Sequence, residues 1–412
     1  MIRIFLFFIL LFSFETQSQT LNFSKYLDTL CSNYFMGRGY VNGGHIKTAN
    51  FLVEKFEEIN LEPLSNDRFT QDFNINVNTF PDTVELKLDG KSLIPGKDFM
   101  ISPQSRGLKG AFNVVKVDLN NWQSILKNSK VNNQSIVSLN VSKILDRDTI
   151  SMYKELGNIL NKSFPVLWIS SEKLQWSVAD YVSNFPMIKI ASKSVNYEFS
   201  RVQLNIEQKF RKSIKTQNVV GKVSGRRKKA IIISAHYDHL GMMGQVKFPG
   251  ANDNASGISL LLNLASYYSE NPHKYNIIFI CFGAEEAGLK GSKYFTDHPL
   301  LDLKKVSFLI NLDIVGTGEE GIAIVNALEE NKAAKKIGKI NTRLNYFKKI
   351  KIRGQSPNSD HYWFSHHQVP SIFIYTMGGI QAYHDPFDKS ETLPLNKIED
   401  LYHLIIDFVN GF

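Results

Sequence analysis

Residues 230–241 read AIIISAHYDHLG, a continuous apolar run that ends in an imidazole and a carboxylate, His236 and Asp238. Such a run marks a strand covered on both faces, as in a parallel sheet with helices on either side. Similar runs follow at 276–282, 306–312, 322–325 and 371–375. Helical apolar spacing appears between them at 256–270 and 329–341. It closes the chain at 395–412, where Ile398, Leu401, Leu404, Ile405 and Phe408 form one stripe. The alternation predicts an α/β fold with a mostly parallel central sheet flanked by helices. A further amphipathic helix over 47–59, carrying Ala49, Leu52, Val53, Phe56 and Ile59, is expected to pack on that sheet.

Between about residues 82 and 204 the pattern changes to short apolar runs at 111–117, 135–141 and 164–169, separated by Gly, Asn, Ser and Lys. This segment reads as an inserted, mainly β domain over 83–204, splitting the α/β domain into 19–82 and 205–412. It holds no cluster of His, Asp and Glu at ligand-like spacing, so its part in any chemistry is expected to be indirect. Ahead of both, Arg3 precedes an apolar run of eleven residues, 4–14, broken only by Ser13 and followed by polar residues. A membrane span needs about 20 apolar residues, so the run reads as a cleaved export signal over 1–18, with a periplasmic or secreted mature chain.

A chain of 412 residues with 43% hydrophobic and 21% charged content suits two globular units without stable membrane insertion. The net charge of +9 comes from basic residues scattered over 209–229 and 333–353 without interleaved stacking aromatics, so nucleic acid is not an expected partner. Two cysteines, Cys31 and Cys281, exclude a disulfide framework, and Cys281 sits in an apolar run as a buried free thiol would. No pattern speaks to oligomeric state.

The chemistry-bearing residues follow the strand ends, where open α/β sheets place their ligands. His236 and Asp238 come first; Asp238 is placed to fix the ring of a metal-bound His236, although an isolated H-x-D suits a surface turn equally well. In PGANDNASG (249–257) a loop of small residues presents Asp253, a carboxylate able to lie between two cations or to cap the following helix. In FGAEEAGLKGS (282–292) the adjacent Glu285 and Glu286 point in different directions, so one can bind metal while the other faces substrate; an acidic first helical turn is the plainer alternative. Asp313 in NLDIVG (311–316) ends a buried run, where a charge is costly unless paired or metal-bound. In YHDPFDKSE (383–391), His384 has Asp388 four residues on as a candidate partner. Turns explain each segment alone; they explain five together poorly.

These motifs, with SDHYWF (359–364), resemble the two-zinc aminopeptidase and carboxypeptidase family that includes bacterial leucyl aminopeptidases, in the expected order over the last two hundred residues. MGRGYVNGGHIKTANFLVEKFEEINLEPL (36–64) is similar to the family's opening turn and first helix, and the insertion faintly resembles a protease-associated domain. The resemblance implies that His236, Asp253 and Asp313 hold one zinc and Asp253, Glu286 and His384 a second. It implies Glu285 as general base and Asp238 as the residue orienting His236. His239 matches a common family residue and is not counted as a ligand. Two Zn2+ against Asp253, Glu286, Asp313 and one bridging hydroxide sum to zero charge, and a neutral cluster can be buried. No Tyr precedes the S-D-H segment, which leaves Tyr375 or Tyr383, or the metals alone, for an oxyanion, while Ser359, Asp360 and His361 are expected to cap a short helix. The expected function is an aminopeptidase acting on peptide substrates. The alternatives are a carboxypeptidase or dipeptidase on the same scaffold, a glutaminyl-cyclase-like acyl transferase, or a non-catalytic binding protein.

Overall fold

The opening run becomes the strand Arg227–His236, flanked in parallel by Tyr275–Phe282 on one side and Val306–Leu312 on the other. The computed structural model describes residues 21–64, 67–127 and 132–412; the expected export signal lies outside them. The strand Ser371–Met377 continues the parallel order beside Val306–Leu312. Every residue from Ala230 to His236 is buried, as a strand with two covered faces requires. Among the described residues no helix is long and apolar enough to cross a membrane.

The sheet is less parallel than its core strands suggest. It has nine strands, and Glu62–Pro63, Thr70–Thr79 and Lys209–Val223 join it antiparallel, as does Gly321–Val325 against Ser371–Met377. The central strands, including the antiparallel Gly321–Val325, are almost entirely buried, and their continuous apolar runs made them legible. Thr70–Thr79 alternates buried with less buried positions over most of its length, the pattern of an antiparallel strand with one wet face, while Lys209–Val223 is largely exposed up to Lys215 and buried from Thr216 to Gly221.

The helix Ser256–Glu270 buries Ile258, Leu260, Leu261, Leu262, Leu264 and Ala265, which point all round its axis. A helix apolar on every side belongs inside a core, and burying each Leu or Ile stabilises by roughly 1.5–3 kcal/mol. Gly44–Glu58 packs Ala49, Leu52 and Phe56 into the same core, and Ile398–Asn410 adds its apolar stripe.

The insertion forms an eight-stranded sheet of its own, and against it lies a helix the sequence reading did not anticipate, Arg147–Asn161. Asp146 caps that helix by accepting from the Thr149 N–H at 2.8 Å. The insertion's core is continuous with the rest of the chain, because Leu240, Met243 and Phe248 pack among Phe80, Leu86, Phe99 and Trp176. An irregular stretch of the insertion then runs back over the larger sheet. There Trp176 stacks on Phe248 at 4.8 Å, and Lys290 pairs with Asp180 at 2.7 Å.

Candidate metal centre

All five expected ligands meet at one edge of the sheet. His236 is the last residue of its strand, Asp313 follows Val306–Leu312 directly, and Glu285 and Glu286 come three and four residues after Phe282. The parallel order puts these carboxyl ends side by side. The Nε2 of His236 lies 3.3 Å from Oδ1 of Asp253 and 3.3 Å from Oδ1 of Asp313. On the other side of Asp253, Nε2 of His384 lies 3.1 Å from Oδ2 of Asp253 and 3.3 Å from Oε2 of Glu286. Asp253 therefore offers one carboxylate oxygen to each imidazole. Both histidine rings and the three carboxylates line a cleft of about 400 Å³, together with Glu285, Ser177, Arg353, Asn358, Tyr375 and Tyr383.

The Asp253 loop is fixed from several directions. A Cβ at Gly250 would overlap the Asp253 carbonyl and the His239 ring, and one at Gly257 would overlap the Asn254 side chain, so both positions require glycine. Asn254 donates to the Leu312 carbonyl at 2.9 Å and accepts from the Ile314 N–H at 3.3 Å, while Asn252 accepts from the Gly316 N–H at 2.8 Å. These bonds tie the Asp253 loop to the Asp313 loop. Ile314 holds φ at +57°, a costly conformation for a β-branched residue.

Three supporting roles differ from expectation. The carboxylate of Asp238 does not orient His236, whose Nδ1 faces the Asp238 main-chain carbonyl at 3.1 Å and the carboxylate only at 4.0 Å. Instead Asp238 accepts from the N–H groups of Glu285 at 3.0 Å and Glu286 at 3.3 Å, and from the Tyr40 hydroxyl at 3.1 Å. Asp388 likewise takes the N–H groups of Asn252 at 2.9 Å and Asp253 at 3.0 Å, not His384. Ser359 does not cap the helix His361–His366; its hydroxyl donates to Oδ2 of Asp313 at 2.8 Å and accepts from Asn311, which in turn accepts from Ser234. Asp360 sits at the cap position without a side-chain cap bond. In each case a side chain pairs with a main-chain group or a distant residue, and sequence spacing carries no sign of that.

Other contributors had no expected role, and of these only His239 was singled out in the sequence, as a residue not counted among the ligands. Arg38 is fully buried, and its guanidinium donates to the carbonyls of Tyr237, Leu30, Pro249, Gly250 and Asp253, at 2.6 to 3.3 Å. Five donors in a rigid fork match five carbonyls from three separated segments, which locks the approach to Asp253. His239 is also fully buried; its Nδ1 meets Oε1 of Glu286 at 2.7 Å and stands 4.0 Å from Asp253. His239, Asp253 and Glu286 thus form a second metal-capable group beside His236, Asp253 and Asp313. The ring of His384 is the nearer of the two to Asp253, and it faces the cleft. From the insertion, Trp176 donates its main-chain N–H to the His384 carbonyl at 2.9 Å, and Lys173 pairs with Asp385 at 2.6 Å.

The field of the centre calls for positive charge. Burial opposes ionisation of both imidazoles, yet Asp313 and Glu285 hold His236 well above its usual range, and Glu286 with Asp253 pushes His384 up to about 11. Burial also opposes charge on Asp253, but its bonds to His236 and His384 hold it well below the usual carboxylate range. Protons or cations at the same place satisfy these carboxylates equally, and imidazole with carboxylate oxygen is a donor set for zinc. Glu285 behaves in the opposite way. Burial, outweighing His236 and reinforced by Glu286 and Asp360, holds its carboxyl well above the usual range.

A mixed sheet that gathers imidazoles and carboxylates beyond the ends of its parallel strands forms groups able to hold metal ions. Residues 218–409 match the model of peptidase family M28. In an alignment of 210 positions that covers 46% of its length, the chain is 31% identical to aminopeptidase YwaD of Bacillus subtilis, covering 43% of that protein. Over 112 residues, 26% of its length, it is 31% identical to the probable lipoprotein aminopeptidase LpqL of Mycobacterium tuberculosis, covering 21%. The chain thus spans less than half the length of these relatives. Its fold is similar to that of BSAP, a zinc aminopeptidase from Bacillus subtilis, with a TM-score of 0.70 at 20% identity over 95% of this chain and 96% of that one. A peptidase M28 precursor from Shewanella amazonensis gives a TM-score of 0.70 at 14% identity over 95% and 93%.

Proposed function

We propose that this chain is an exported aminopeptidase in which His236, Asp253 and Asp313 hold one zinc ion and Asp253, Glu286 and His384 hold a second. The observation that carries this reading is the position of Asp253, with Oδ1 3.3 Å from one imidazole and Oδ2 3.1 Å from the other. Bound there, a zinc pair would lower the pKa of a shared water and polarise the scissile carbonyl.

The protein's own groups manage the rest. Glu285 lines the cleft without pairing to either imidazole, and its raised pKa suits a carboxylate that takes a proton and returns it to the leaving amine. Asp238 holds the main chain of Glu285 and Glu286, so base and ligand keep their separation. Tyr383 stacks on His384 at 4.0 Å; burial and the nearby Asp253 and Glu286 keep its hydroxyl protonated, as an oxyanion donor must be. Aminopeptidase action follows the names of the relatives, and the basic-apolar leader supports export.

The reading is tested by comparing hydrolysis of Leu-Ala amide with its N-acetyl derivative by the zinc-loaded chain. An aminopeptidase cleaves the free amine at least about a hundredfold faster, because a site built around one end of its substrate loses matched polar contacts when that end is blocked. Equal rates on the two would end the aminopeptidase assignment.

A further inference from the structure

Arg353 is the one Lys or Arg among the described residues that line the cleft. It continues the edge strand Ile350–Ile352, and its main chain is held on both sides. Its N–H donates to the Ile324 carbonyl at 2.9 Å, and its carbonyl accepts from the Ala327 N–H at 2.9 Å. The side chain is held too: Nη1 donates to the Tyr375 hydroxyl at 2.9 Å, with the guanidinium 5.8 Å from that ring's centre. No carboxylate among the described residues lies within ion-pair distance of it. Glu329, on the adjoining turn, accepts from the Gln355 N–H at 3.1 Å instead.

A half-buried guanidinium, aimed into a cleft and left without a counter-ion, carries a charge that a ligand can meet. Guanidinium and carboxylate match as planar, two-pronged partners, and the pair is strong where water is partly excluded. Tyr375 accepts from Arg353, so its own hydroxyl proton is free to donate to the same group. Asn358 lines the same cleft.

We propose that Arg353, steadied by Tyr375, is a carboxylate subsite that selects peptide substrates carrying a negative charge close to the scissile bond. This rests on the peptidase reading above and deepens it by naming the substrate class. The carboxylate has two sources, an acidic first side chain or the free carboxyl end of a dipeptide. The chemistry at Arg353 is the same in both.

Two substrate pairs separate the sources: Leu-Ala against Leu-Ala amide for the chain end, and Glu-Ala amide against Gln-Ala amide for the side chain. In the zinc-loaded protein one pair shows a preference of at least about tenfold in kcat/KM for the carboxylate member, as expected of a charge-assisted pair. Arg353→Gln brings that ratio to within about threefold of one, and Tyr375→Phe lowers it part of the way. The same preference is read without turnover by titrating Leu-Ala, Leu-Ala amide, Glu-Ala amide and Gln-Ala amide into Glu285→Gln, with and without Arg353→Gln. Ratios near one for both pairs, with Leu-Ala amide still hydrolysed, overturn the subsite and leave the peptidase reading standing. A preference that survives Arg353→Gln also overturns it. If no peptide is hydrolysed, the peptidase reading fails, and calorimetry alone then decides whether Arg353 binds carboxylate.

Discussion

The main-chain N–H of Glu285 lies 3.0 Å from Oδ1 of Asp238, and through that bond a buried carboxylate sets where the candidate base stands. Asp238 takes three donors on two oxygens, the third being the Tyr40 hydroxyl. In Asp238→Asn one acceptor oxygen becomes an NH2 group that faces donors. Such changes around a metal centre typically cost about 10- to 100-fold. We expect kcat to fall within that range while zinc content and KM change little; a loss of bound zinc with unchanged kcat per zinc would show that Asp238 acts on the ligands instead.

Glu285→Gln removes the group that moves the proton and leaves the five proposed ligands intact. Turnover is expected to drop by about 10²- to 10⁴-fold, with zinc content equal to that of the parent chain. Near-normal turnover in this variant would require a different base.

Lys173 belongs to the insertion yet grips the loop that carries His384, through the 2.6 Å pair with Asp385 and a 2.5 Å bond to the Gln381 carbonyl. Lys173→Met leaves the buried Asp385 carboxylate without its cation. Zinc affinity, measured by competition with a chelator, is expected to weaken by about tenfold or more, as it does when supports of metal ligands are lost. Unchanged affinity would mean that the Lys173 contacts do not support the centre.

His361 is fully buried beside Phe373, and burial holds its pKa down to about 4 against a small opposing pull from the Ser359 main chain. The folded chain therefore keeps this ring neutral where the unfolded chain, with a histidine pKa of about 6.5, protonates it. Since the unfolded state binds more protons between those values, stability falls as pH drops from about 6.5 towards 4. At pH 5 this one group costs roughly 2 kcal/mol relative to neutral pH. Urea unfolding of the zinc-free protein at pH 7.5 and 5 should show that difference shrink by this amount in His361→Phe; an equal acid loss in both proteins would contradict it.

The parts of the fold that were legible in the sequence are those where burial leaves a pattern. The run at 306–312 became the strand Val306–Leu312, and 256–270 became the helix Ser256–Glu270, because an element covered on every side must be apolar throughout. The antiparallel arms Thr70–Thr79 and Lys209–Val223 mix polar and apolar positions and did not stand out. The helix Arg147–Asn161 did leave a sign, Asp146 three residues before Thr149, but it lay among strand-like runs.

Of the centre, the residues with reactive side chains were legible, since few other roles place His and Asp or Glu at successive strand ends. Their supports were not. Arg38 satisfies carbonyls from segments as far as 215 residues away, and Asp238 and Asp388 bind main-chain amides that any residue type would offer. Of the two partners inferred from spacing, Asp238 contacts the His236 ring through its main-chain carbonyl, and Asp388 takes the Asn252 and Asp253 amides in place of His384.

Crystals grown with zinc, measured on either side of the zinc absorption edge, give the most direct trial of the proposed centre. The account predicts two anomalous peaks about 3.5–4 Å apart, astride the Asp253 carboxylate, one against His236 and Asp313 and the other against Glu286 and His384. A single peak, a second peak held by His239 in place of His384, or no peak beside Asp253 would contradict it.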